Sequence, residues 1–156
     1  MSHQFFIEKS CKLAVESVEK GCGPFGCVIV DSHNNIVAEE HNQVTKLNDP
    51  TAHAEIQAIR MACKKLNTYD LSDYKLYTSC EPCPMCLSAI YWSRIKDVYF
   101  SNTRSDAKKI GFSDDYIYDE LKKEITERDI KLVRVKSDNS LSSFEMWEEK
   151  SDKQAY

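Results

Sequence analysis

Residues 75–101 read KLYTSCEPCPMCLSAIYWSRIKDVYFS, and this stretch decides the fold. Lys75–Thr78 has the look of a short strand, Pro84–Trp92 of a helix and Asp97–Ser101 of a second strand. Pro84 falls at an early helical position, where its missing N–H costs nothing. Strand, helix and strand in close succession predict a parallel crossover.

Upstream, Asp49-Pro50-Thr51 looks like a helix start, and Ala52–Leu66 carries Ile56, Ala58, Ile59 and Cys63. Residues 3–20 place Phe5, Phe6, Leu13, Ala14, Val15 and Val18 at loose helical spacing, and Gly21-Cys22-Gly23-Pro24 ends that helix. Phe25–Val30 and Ile36–His41, joined by the turn-forming Asp31–Asn35, predict a hairpin. Downstream of Gly111 the sequence predicts a helix over Tyr116–Glu120, a closing strand at Lys131–Val135 and a last helix over Ser142–Lys150. The expected fold class is α/β, with a mixed sheet covered on both faces and the opening hairpin supplying an antiparallel edge. Repeats, low-complexity segments and linkers are absent, so residues 1–156 read as a single domain.

A chain of 156 residues, 42% hydrophobic and 29% charged, has an ordinary globular composition that argues against wholesale disorder. No apolar run approaches the roughly 18–20 residues that span a bilayer. Met1-Ser2-His3-Gln4 does not resemble the start of a secretory signal, so a cytoplasmic protein is expected. A net charge of −4 supplies no global attraction to phosphate and argues against a nucleic-acid partner. Seven cysteines is an odd number, and Cys80, Cys83 and Cys86 are spaced for a metal rather than a disulfide framework.

Two segments carry the chemistry: His53-Ala54-Glu55 and Pro82-Cys83-Pro84-Met85-Cys86. Cys83 and Cys86 have the spacing with which two thiolates reach one zinc ion at the start of a helix, where amide donors and the helix dipole favour thiolate. In a helix interior, residues two apart point roughly 200° away from each other. His53 and Glu55 therefore serve one site only near a helix end, and two helix N-termini facing one ion satisfy both segments. His53, Cys83 and Cys86 would leave the fourth position of one zinc per chain to water, which becomes acidic enough to yield hydroxide near neutrality. Glu55 is then the candidate proton carrier. Cys80 leaves an alternative open: as a fourth ligand it would close a structural zinc site in an interaction domain. A buried small apolar role for Cys80 is the ordinary reading of a strand-terminal cysteine.

The order Gly23-Pro24-Phe25-Gly26, His53-Ala54-Glu55, Thr78-Ser79-Cys80-Glu81-Pro82-Cys83-Pro84-Met85-Cys86 resembles the cytidine/deoxycytidylate deaminase superfamily across roughly residues 23–101. Within it, Ala89-Ile90-Tyr91-Trp92, Gly111–Tyr118 and the tail ending in Tyr156 are similar to the guanine-deaminase branch of bacteria. The resemblance implies a three-layer α/β/α sandwich on a five-stranded sheet, and a homodimer that exchanges its C-terminal segment, residues 142–156. It implies loss of the C2 amine of guanine to give xanthine, with zinc hydroxide attacking C2 and Glu55 protonating ring N3. It also assigns Asn42 and Asp114 to purine contact or proton handling, and Tyr156 to closing the pocket. Read by residue type alone, Asn42 closes a hairpin strand, Asp114 caps the helix near Tyr116, Asp115 is interchangeable with Asp114, and the tail frays. Phe25 and Trp92 would wall the base or pack in the core. The rival substrate is adenosine in tRNA. Asp106, Asp114, Asp115, Asp119 and Glu120 would repel its backbone, whereas Lys108, Lys109, Lys122 and Lys123 would attract it. Cytosine is a further small-ring alternative.

Overall fold

The structure, a computed structural model, describes residues 2–156. Helix α1 (His3–Glu19) starts where the Ser2 hydroxyl accepts from the Phe5 N–H at 3.3 Å. It buries one stripe, Phe6, Ser10, Ala14 and Ser17, at helical spacing. It ends at Gly21, whose φ of +76° a side chain rarely adopts.

Strands β1 (Gly26–Val30) and β2 (Ile36–His41) form the expected antiparallel hairpin. Helices α2 (Val44–Leu47) and α3 (Ala54–Leu66) then lead to β3 (Lys75–Cys80), α4 (Pro84–Trp92) and β4 (Asp97–Asn102). The sheet order is β2-β1-β3-β4. β3 lies antiparallel to β1 and parallel to β4. β2 and β3 therefore run the same way with β1 between them, so α3 and α4 each make a parallel crossover, as the alternation predicts.

The two faces of β1 show how the sheet is covered. Cys27 and Ile29 pack with Ala54, Ala58 and Ala62 of α3 and Ile90 of α4. Val28 and Val30 face the other way, with Phe6 of α1 and Tyr77 of β3. All five residues of β1 are buried, as a strand covered on both sides requires. Each large apolar side chain so buried contributes about 1.5–3 kcal/mol. α1 lies close to the sheet because Gly26 lacks a side chain: a Cβ there would stand 2.3 Å from the Ser10 carbonyl oxygen and 2.7 Å from the Ala14 nitrogen. Backbone cannot yield as a side-chain tip can. Gly26→Ala is expected to cost roughly 3 kcal/mol or more, read as a lower denaturant midpoint at unchanged slope; an unchanged midpoint would contradict this packing.

After β4 come α5 (Arg104–Lys109) and α6 (Asp115–Lys122). The chain divides into two compact units, the first ending at Tyr116 and the second running Ile117–Tyr156. The second unit contains a 3-10 turn, Ile125–Glu127, and helix α7 (Ser142–Glu149), which fulfils the prediction of a last helix. The fifth strand expected at Lys131–Val135 is not formed, and the sheet has four strands. An extended segment becomes a strand only by exchanging ladder hydrogen bonds with a neighbour, and no described strand pairs with 131–135. Leu132, Val133 and Val135 are instead exposed. Among the described residues no helix is long and apolar enough to cross a membrane.

Candidate active site

His53 and Cys83 are the residues immediately before α3 and α4, each extended at the helix N-cap. Because β2 and β3 run in the same direction, both helices begin beyond carboxyl ends of strands, where open α/β sheets form their sites. His53 Nδ1 lies 3.5 Å from Cys83 Sγ and 3.5 Å from Cys86 Sγ. The three ligand atoms lie within 4.8 Å of one another, and this is the group of candidate metal ligands found among the described residues. Bond lengths of about 2.3 Å to sulfur and 2.0 Å to nitrogen around a tetrahedral ion space its ligands roughly 3.5 Å apart. Donor set and spacing thus fit zinc. The sulfurs are unequal: the hydrogen bond from Cys86 and the neighbouring His53 hold the Cys83 thiol down to about 4. The donor role to Cys83, and burial, push the Cys86 thiol up. The hydrogen bond with Cys83 raises His53 above the usual histidine range, against the opposing effect of burial.

Cys80 stands apart from this group. Its Sγ–H donates to the Thr103 carbonyl at 3.7 Å, and burial pushes its thiol up to about 11. The four-ligand structural arrangement therefore lacks its fourth sulfur.

Glu55 is the second residue of α3 and only 5% exposed. Its Oε1 accepts a hydrogen bond from the Thr78 hydroxyl at 2.8 Å, and burial raises its carboxyl above the ordinary range. His53, Glu55 and Cys83 line a cavity of about 270 Å³ together with Gly23, Phe25, Asn42, Phe112 and Asp114. The ring of Phe25 meets that of Phe112 edge-on at 5.0 Å, making the apolar wall. Trp92, the other aromatic candidate, is exposed at the end of α4 and does not line it.

Asn42 is buried, and its Oδ1 accepts from the N–H groups of Gly23 (3.4 Å) and Val44 (3.1 Å). With the oxygen so engaged, the NH2 group is the polar end left for a ligand. Asp114 lines the cavity, whereas Asp115 pairs with Lys108 at 3.0 Å, so position now separates the two carboxylates. Burial raises the Asp114 carboxyl, and Cys83 and Asp115 add to this. Tyr156 belongs to the second unit and is exposed. Phe112 and Thr78 were not singled out individually by the sequence reading. Phe112 sits inside the Gly111–Tyr118 stretch already marked by resemblance, and Thr78 is a polar residue on an otherwise apolar strand face.

The chain belongs to the family of cytidine and deoxycytidylate deaminases: their zinc-binding region matches residues 1–102. The whole chain is 49% identical over 157 residues to guanine deaminase of Bacillus subtilis (strain 168), covering 100% of both. The crystal structure of guanine deaminase from Bacillus subtilis superposes with a TM-score of 0.96, at 49% identity over 100% of this chain and 99% of that one. The tRNA-specific adenosine deaminase of Aquifex aeolicus is 44% identical over 101 residues, 65% of this chain and 66% of the relative. A structure of guanine deaminase from Nitrosomonas europaea gives a TM-score of 0.67 at 30% identity, over 70% of this chain and 63% of that one.

Proposed function

We propose that this chain is a guanine deaminase, converting guanine and water to xanthine and ammonia. The observation that carries the reading is end-to-end likeness to the Bacillus protein, set against a likeness to the Aquifex tRNA deaminase that covers 65% of the chain. His53, Cys83 and Cys86 hold one zinc ion per chain. When bound, the ion supplies a Lewis acid that makes a nucleophile of water near neutral pH. Glu55 takes the proton released by the water and delivers it to ring N3. It then moves the proton of the new C2 hydroxyl to the C2 amine, which departs as ammonia while the C2 carbonyl of xanthine forms. The Asn42 NH2 donates to an acceptor of the purine, and Asp114 accepts from a ring N–H or the amine. Phe25 and Phe112 wall the ring. A cavity of about 270 Å³ suits a lone base better than a drug-sized ligand, whose sites run ~300–1,000 Å³. Ammonia release from guanine, cytosine, adenine and an anticodon-stem RNA tests the reading, which expects guanine to be fastest and xanthine to be its product. Guanine left inert would overturn it.

Asp114→Asn removes the acceptor charge while keeping its shape. Turnover of guanine is expected to fall by roughly tenfold or more, as for a lost charged hydrogen bond of about 1.5–3 kcal/mol, with the melting temperature kept. An unaltered rate would remove Asp114 from the site.

The active unit on this reading is residues 1–156 as one deaminase domain that forms a homodimer by exchanging residues 142–156, in the cytoplasm. The support lies in the second unit, where Ile130, Val133, Val135, Phe144 and Met146 are all exposed and a partner copy would cover them. All seven cysteines are free, as a reducing compartment allows. Tyr156 then closes the pocket of the partner copy and excludes competing water. Deleting residues 151–156 is expected to cut guanine turnover while zinc content and the melting temperature of the core persist; full activity would rule out the closing tail.

A further inference from the structure

We infer that Thr78 is the positioning residue of the proton carrier: its hydroxyl holds Oε1 of Glu55 and thereby commits Oε2 to the reacting atoms. The inference rests on Glu55 being that carrier. Thr78 sits on β3, fully buried, and Glu55 sits on α3, so the 2.8 Å hydrogen bond ties two separate elements together. The other polar atom near the hydroxyl is the Gly26 carbonyl oxygen, 3.5 Å away and at the limit of a hydrogen bond.

Packing alone does not account for the residue. Thr78 faces Cys27 across β1 and Phe100 across β4 in the sheet register, both apolar. Valine has the same shape and a comparable preference for strands, and it would bury no hydroxyl. The hydroxyl does have a mechanical consequence. The torsion that swings a glutamate's carboxylate is broad and roughly two-fold. Without the Thr78 hydroxyl the Glu55 carboxylate keeps only its own backbone N–H and the Cys86 side chain as partners, and Cys86 is a zinc ligand on this reading. The buried hydrogen bond from Thr78 adds an anchor on a second element and so holds the other oxygen at a set distance from the cavity.

The test uses the full-length, zinc-loaded protein and compares Thr78→Val, which deletes the hydroxyl at constant shape, with Thr78→Ser, which keeps it. For Thr78→Val, kcat is expected to fall roughly 10–100-fold, the scale of a small misplacement of a reacting group. Zinc content, KM for guanine and calorimetric affinity for xanthine should stay close to those of the parent. Thr78→Ser should restore kcat to within a few fold of the parent. A parental kcat in Thr78→Val, a loss confined to KM, or a Thr78→Ser as slow as Thr78→Val would each overturn the inference. Should Thr78→Val fail to fold, Thr78→Ala gives the same comparison, with the same fall in kcat expected at unchanged xanthine affinity. Glu55→Gln measured alongside separates the two levels. If it stays active, the role of Glu55 is wrong; if it is inactive while Thr78→Val is fully active, only the inference about Thr78 fails.

Discussion

Glu55→Gln is expected to retain zinc and to lose turnover by roughly a hundredfold to ten-thousandfold, the range a positioned general acid–base supplies. Glutamine matches the glutamate in size and still offers an oxygen to the Thr78 hydroxyl, so the buried hydrogen bond at 2.8 Å can persist. The amide cannot accept and return a proton at the required step. Nor is Glu55 among the atoms gathered around His53 Nδ1 and the two sulfurs, so metal content should not follow the activity down. Metal analysis beside the kinetics of the same preparation decides it. A Glu55→Gln protein that turns guanine over at the parental rate would end the role assigned to Glu55.

Cys83→Ser and Cys86→Ser are expected to behave in the opposite way, with zinc and turnover disappearing together. A serine hydroxyl is not deprotonated as a thiolate is, and zinc in this donor set is held by thiolate charge. Loss of an outer partner of a ligand already costs about 10–100-fold in metal affinity, and loss of the ligand itself should cost more. Cys86 is fully buried and Cys83 caps α4, accepting from the Cys86 N–H at 3.5 Å, so some loss of stability should accompany both changes. Zinc titration separates these effects: excess zinc raises the melting temperature of the parent through linkage and should leave the variants unmoved. A variant that keeps full zinc affinity would remove that cysteine from the ligand set.

The structure brings His53, Cys83 and Cys86 within 4.8 Å of one another, as their spacing suggests, and lines one cavity with His53, Glu55 and Cys83. Residues two apart serve one site only near a helix end, and His53 and Glu55 do lie there. The helix start expected at Asp49-Pro50-Thr51 falls later, however: α3 begins at Ala54 with His53 as its N-cap. Thr103–Asp106 carried a readable signal that the sequence reading did not use. That pair forms a reciprocal capping box, 3.3 Å and 3.0 Å between side chain and backbone, and starts α5. The direction of Asn42 was beyond reach, because it depends on where the backbone of Gly23 and Val44 comes to lie after folding. Trp92 failed as a pocket wall for a similar reason: its place at the end of α4 is fixed by helix phase, and Phe112 reaches Phe25 from a loop instead. The strand pattern at Lys131–Val135 was real as a pattern, but β-structure is made by a partner as much as by propensity.

The central claim is tested most directly by competition in one vessel. Purified zinc-loaded protein is given guanine and an anticodon-stem RNA bearing adenosine at equal concentration, and the products are separated and identified. The account predicts xanthine with one equivalent of ammonia, and the RNA adenosine left intact. Inosine in the RNA with guanine unconsumed would contradict it.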